Sequence, residues 1–306
     1  MDQAEQLRRI IKAQNAPQRP LARVITVTSG KGGVGKSNVA INLAIQFRRM
    51  GQRVIILDAD FGLANIEIMF GTVPKHNLSD LIYQGKNIKD IITWGPEGVG
   101  FISGGSGISG MYNLSREYLV YIIVNLAELD AIADTIIIDT GAGVSSAVME
   151  FLVASGEIIL VTTPEPTSIT DSYSLLKALN QQPRFSKENT MIKVVSNRVA
   201  SDEEGQQLFN KLNAVVARYL KLPLNYLGAI PQDQLLARGV MQQSPVSIQY
   251  PNSKSARAFE NIATRLTSSN DLVVVKPRGM AAFFSHIITG RKLNSDRMPG
   301  EQSFGQ

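Results

Sequence analysis

The chain has 306 residues, 44% of them hydrophobic and 19% charged, as expected of a soluble globular protein with a core large enough for one large domain or two ordinary ones. It contains no cysteine, which excludes disulfides, thiolate zinc sites, iron-sulfur clusters and cysteine nucleophiles, and its two histidines, His76 and His286, lack metal-ligand spacing. The net charge of +5 sits at the ends: residues 1–23 carry five Lys/Arg against Asp2 and Glu5, residues 276–306 carry five against Asp296 and Glu301, and the body between them has 21 basic and 22 acidic side chains. A neutral body between basic tails argues against nucleic-acid binding by the fold itself.

In chain order, residues 1–12, MDQAEQLRRIIK, read as a short helix with Leu7, Ile10 and Ile11 on one side, followed by a Pro/Gln/Asn-rich linker to about residue 21. From there, short β-branched runs alternate with amphipathic segments. RVITVT (23–28), RVIILD (53–58), TIIID (135–139), EIILVTT (157–163), MIKVVSN (191–197) and LNYLGAI (224–230) are nearly continuous apolar strands, the pattern of a parallel sheet buried on both faces. Helical patterns at 36–50, 116–130, 168–181 and 203–220 lie between them. The expected fold class is α/β, a doubly wound, mostly parallel sheet with helices on both faces, over residues 21–266.

A second linker is expected at 267–278, leading to GMAAFFSHIITGRK (279–292) and a disordered tail at 293–306. Met280, Phe283, Phe284, Ile287 and Ile288 fall at i, i+3, i+4, i+7 and i+8, one stripe of a helix, flanked by Lys276, Arg278, Arg291 and Lys292 without an acid between them. Basic flanks around an apolar stripe suit a helix that lies in an anionic membrane surface, and a helix packed on its own domain has the same stripe. With no cleavable leader or apolar run of about 20 residues, the expected location is the cytoplasm, with reversible attachment to the inner face of the cell membrane.

The stretch GKGGVGKS (30–37) carries the chemistry. Gly30, Gly35, Lys36 and Ser37 match the phosphate-binding loop pattern, with a strand before it and a helix after. In such a loop the backbone N–H groups of Gly32, Gly33, Val34 and Gly35 converge on phosphate oxygens, Lys36 reaches the β and γ phosphates, and Ser37 offers a Mg²⁺ ligand beside Asn38. That leaves a second lysine, Lys31, to be explained.

With Lys31 included, the loop resembles the deviant Walker A motif, KGGxGK[ST], of the MinD/ParA class of ATPases. The resemblance implies ATP and Mg²⁺, an ATP-bound homodimer, and a Lys31 that reaches the phosphates held by the other subunit, so that Lys31, Lys36 and Asp60 are the expected catalytic residues. DADFGLAN (58–65) resembles the first switch of that class, with Asp60 orienting the attacking water and Asp58 supporting the metal shell. DTGAG (139–143) resembles its second switch, with Asp139 holding Mg²⁺ and Gly141 and Gly143 leaving room for the γ phosphate. Ser37, Asp60 and Asp139 are thus the expected metal shell. Asn197, Arg198 and Pro231 match the class's adenine contacts.

Within that class, MDQAEQLR, DADFGLANIEIMFG and TTPEPTSITDSYSLLKAL resemble the FlhG-type regulators of flagellar number and placement, over essentially residues 2–290. That likeness implies stimulation of an FlhF-type GTPase by Asp2, Gln3, Ala4, Leu7 and Arg8, and contacts with flagellar switch or C-ring proteins. The alternative within the same fold is a ParA-like ATPase that partitions DNA, which the neutral body makes an unlikely DNA partner. The absence of cysteine closes the metal-cluster reductases, and no extra acid/base constellation points to a metabolic ligase.

Overall fold

The computed structural model describes residues 21–60, 65–104, 123–268 and 279–295, with side chains of the last segment described through Ile287. The expected partner-activating residues Asp2, Gln3, Ala4, Leu7 and Arg8, the linker from 269 and the tail from 296 lie outside them.

One sheet of eight strands runs in the order β3-β4-β2-β5-β1-β6-β7-β8. Its members are β1 (Arg23–Ser29), β2 (Val54–Ala59), β3 (Thr93–Trp94), β4 (Gly100–Ile102), β5 (Thr135–Ala142), β6 (Glu157–Thr162), β7 (Met191–Val199) and β8 (Asn225–Pro231). All neighbours pair in parallel except β3 with β4. The six apolar runs of the sequence are the six long strands. β3 and β4 are too short to show a period, and the sequence reading missed both.

Two layers of helices cover the sheet, and alternation along the strands decides which residue serves which layer. On one face, Ile25, Val27, Ile56 and Ile137 pack under α1 (Lys36–Arg49), α2 (Asn65–Phe70) and α9 (Lys254–Ser268). On the other face, Ile55, Leu57, Ile136 and Ile138 meet α3 (Leu78–Gln84), α4 (Leu129–Ile132) and α5 (Ser146–Ala154). Farther along that face, Ile158, Leu160, Ile192 and Val194 meet α6 (Pro166–Asn180) and α7 (Asp202–Leu220). A further helix, α8 (Gln234–Met241), follows β8. In place of the continuous helix expected at 116–130, residues 123–127 are helical, Glu128 is a turn, and helix resumes at Leu129.

The C-terminal helix α10 (Gly279–Ser295) lies on the second face, three residues longer than the 279–292 expected, and α9 continues to Ser268, two residues into the expected linker. Met280, Phe283, Phe284 and Ile287 are each at most 2% exposed within that core, so the stripe read from sequence as a membrane face is packed on the domain here. The side chain of Ile288 lies outside the described residues. Phe151 of α5 accounts for the fit, with its ring 6.0 Å from Phe283 and 6.5 Å, edge-on, from Phe284. Polar contacts hold both halves of the helix. Asp130 accepts from the Met280 N–H at 3.0 and 3.2 Å, and Arg184 donates to the His286 carbonyl at 2.6 Å while pairing with Glu150 at 2.6 Å.

Candidate active site

The carboxyl ends of β1, β2 and β5, adjacent at the centre of the sheet, bring the loop and the two acidic segments together, the usual place for a ligand in a doubly wound fold. The loop leaves β1 and opens α1, with Gly33 at φ 76° and Gly35 at φ 94°, left-handed conformations in which a side chain would strain the backbone. Gly30 is glycine for another reason: a Cβ there would collide with the backbone of Asp171 and Ser172 on α6. Gly32 faces open space, and Val34 is buried in the core under α1.

Lys36 is 7% exposed, and its Nζ lies 2.7 Å from Asp139 Oδ1. Asp139 is wholly buried, and burial pushes its carboxyl up while Lys36 and Ser37 favour the charged form. Its Oδ2 has no hydrogen-bond partner. Asp58 stands in register with Asp139 across the β2–β5 pair, and burial together with the Asp139 charge pushes it up to about 7. Asp58 also accepts from the N–H groups of Asp60, at 3.1 Å, and Ile66, at 3.3 Å, so it ties the end of β2 to the first turn of α2. Asp60 is half-buried beside Gly141, with Asn65 Nδ2 3.3 Å from its Oδ2. Gly143, at φ 83°, bonds back to the Ser29 carbonyl at 2.9 Å, so the second switch returns to the strand that precedes the loop.

Lys31 points away from this cluster. Its side chain is 35% exposed, with Nζ 2.6 Å from Glu165 Oε2 and 2.8 Å from Thr167 Oγ1, and this pairing holds the Glu165 carboxyl below its usual range. Sequence reasoning quoted the TTPEPT stretch without assigning these two residues a role. A salt bridge across 134 positions leaves no local signal.

Of the three residues expected at the adenine, two line a common cavity. Arg198 and Pro231 join Asn38, Asp233, Leu236 and Val240 around a space of about 300 Å³. Asn197 does not line it. At 1% exposure it donates to the Val34 carbonyl at 2.7 Å and accepts from the Arg198 N–H at 2.9 Å, so its amide braces the loop. Arg198 pays for that bond with a left-handed φ of 59°.

These residues fit a magnesium nucleotide. A glycine cradle opens a helix, a buried lysine and Ser37 sit at its base, an orphaned Asp139 oxygen is free to take a metal-bound water, and Asn38 Oδ1 is likewise buried without a partner beside the base cavity. Ser37 and Asp139 would hold a Mg²⁺ ion, which would supply charge neutralisation for the phosphates. In such an arrangement the loop's backbone N–H groups and Lys36 would hold the phosphates, with Asp60 beside Gly141 close by.

The model of the CobQ/CobB/MinD/ParA nucleotide-binding domain matches residues 25–246, most of the described body and all of this site. The chain belongs to that family. It is therefore a P-loop ATPase that takes ATP and Mg²⁺. It is 38% identical over 262 residues to the antiactivator FleN of Pseudomonas aeruginosa, covering 86% of this chain and 91% of that one. It is 32% identical over 269 residues to the flagellum site-determining protein YlxH of Helicobacter pylori, covering 87% and 90%. Among solved structures, the septum site-determining protein MinD of Pyrococcus horikoshii with Mg-ADP matches at a TM-score of 0.63 and 25% identity, over 81% of this chain and 97% of that chain. That family confirms the doubly wound fold and the nucleotide expected from the loop.

Proposed function

We propose that this ATPase is a dimerising switch that sets the number or placement of flagella. The similarity to FleN and YlxH across nearly the whole chain carries the reading. The position of Lys31 supports the dimer: the cation sits on the surface at the mouth of the site, turned from its own Lys36–Asp139 cluster, where a second subunit's phosphates would meet it. Size-exclusion chromatography with Mg-ATP against Mg-ADP tests this. The parent forms a dimer with ATP, and Lys31→Ala reduces both dimer and turnover. Equal behaviour of the variant and the parent overturns the trans role.

Membrane attachment is the second half of the switch. No described helix is long and apolar enough to cross a bilayer. The apolar stripe of α10 and its basic flanks support attachment by a helix lying in the interface. Four buried side chains, Met280, Phe283, Phe284 and Ile287, are each worth roughly 1.5–3 kcal/mol on burial, and the same stripe serves either the domain groove or the lipid. ATP-driven pairing presents two such helices, which raises avidity without a new contact. Phe283→Glu with Ile287→Glu abolishes sedimentation with anionic vesicles; unchanged sedimentation excludes the helix as anchor.

The amino-terminal segment, through Gln3 together with Leu7 and Arg8, acts on an FlhF-type GTPase, and the ATP-bound dimer engages flagellar switch or C-ring proteins. A peptide of residues 1–20 stimulates GTP hydrolysis by such a partner, and binding without stimulation leaves it a docking role alone.

A further inference from the structure

Along the outer edge of β8 runs a groove of about 590 Å³ that shares only Pro231 with the base cavity. Among the described residues β8 pairs with β7 alone, and no described strand lies along its other edge. Tyr226 and Gly228 form part of the floor, the start of α7 with Asp202 one wall, and α9 the other. On α9, Lys254, Arg257 and Arg265 fall at i, i+3 and i+11, one stripe of the helix, while Phe259, Ala263 and Leu266 turn to the core. Arg265 is fixed in place by donating to the Leu227 carbonyl at 3.0 Å. None of the three cations is within 4.0 Å of a carboxylate among the described residues. Arg265 is thus tied to β8 itself, while Lys254 and Arg257 stand without an ion pair within that distance beside a strand edge that no described strand occupies.

We propose that this groove binds an extended acidic peptide of a partner protein, laid along β8 with its carboxylates on the α9 stripe. The eleven helical rises from Lys254 to Arg265 span about 16 Å, which five residues of extended chain cover at about 3.3 Å each. Alternation along such a chain puts carboxylates on one side and apolar side chains on the other. The opposite wall carries Asp202, whose charge repels a continuous phosphate backbone but not the uncharged side of a peptide. The chain's own two ends are each basic, five cations against two acids, so the acidic segment comes from another molecule.

The test uses the full chain and a fluorescein-labelled heptapeptide of alternating Glu and Val, beginning and ending with Glu, read by fluorescence anisotropy. Saturable binding is expected, weakening as salt rises from about 50 to 300 mM, and absent for the matching Gln/Val peptide. Lys254→Gln with Arg257→Gln is expected to weaken it at least tenfold while leaving ATP binding unchanged, which shows that the variant is folded. Equal affinity for parent and double variant, or no binding of the Glu/Val peptide, overturns the proposal. So does a duplex oligonucleotide that displaces the peptide and shows the same dependence on Lys254 and Arg257, since the groove would then be a nucleic-acid site.

Discussion

Asp58 and Asp139 stand side by side on adjacent parallel strands, and the buried lysine between the loop and the sheet is bonded to Asp139 alone. Two carboxylates thus share one cation, and Asp58 bears the consequence, with its carboxyl pushed up from 3.8 to about 7 by burial and by Asp139. A raised folded-state value means that the folded protein holds a proton the unfolded chain has lost. The penalty for ionising Asp58 is absent below about pH 4, grows through the window between 3.8 and about 7, and is complete above it. Asp58→Asn removes the penalty and keeps an oxygen for the Ile66 N–H. Without nucleotide, its stability is expected to exceed the parent's at pH 8 by on the order of a few kcal/mol at most, read as a higher melting temperature, and the gain shrinks at pH 5. A gain independent of pH refutes the assignment.

Lys36 and Asp139 test the separation of binding from stability. Removing one member of a buried pair strands the other charge, at about 3–5 kcal/mol, so Lys36→Met alone lowers both ATP affinity and melting temperature. Lys36→Met with Asp139→Asn recovers most of the stability and none of the affinity. Calorimetry with ATP and a thermal melt on the same samples distinguish the two. Parallel recovery of both properties shows that the lysine does not hold the nucleotide.

Two loop glycines that look alike in sequence have different neighbours. A Cβ at Gly30 meets the α6 backbone, whereas one at Gly32 meets nothing within 4 Å. Gly30→Ala is expected to displace the loop and lower ATP affinity at least tenfold, and Gly32→Ala to remain within about threefold of the parent in nucleotide-free stability. The comparison reads local packing, since backbone freedom alone treats both positions equally.

Much of this architecture was legible because it is local or periodic. The six long strands announce themselves as apolar runs, and GKGGVGKS needs only its flanking strand and helix to be recognised. The family resemblance implies a base contact for Asn197, and the bond its amide makes to the loop was not legible, because the Val34 carbonyl is 163 positions away. Glu165 and Thr167 escaped notice for the same reason: what makes them important is the Lys31 ammonium, brought to them by the fold. The stripe of α10 shows the opposite limit. Its spacing identified an apolar face correctly, but a groove on the domain and a lipid surface ask for the same residues.

Asp130 holds α10 in the groove. It is the acceptor for the first turn of α10, where the N–H groups have no partner within the helix, and burial raises its carboxyl while bonds from Met280 and Ala22 favour the charged form. Gly279 precedes that turn at φ 65°, and a Cβ there would sit 2.5 Å from Asp130 Oδ2, so the chain enters the helix pressed against its cap. Asp130→Ala removes a capping interaction of about 0.5–2 kcal/mol, and the α10 stripe is then freer to leave the groove. Faster hydrogen exchange at residues 280–287 is expected, with the body of the sheet unchanged. Anionic vesicles should retain more of the variant than of the parent in the absence of ATP. Faster exchange without added vesicle binding limits Asp130 to holding the helix, and unchanged exchange removes it from the latch.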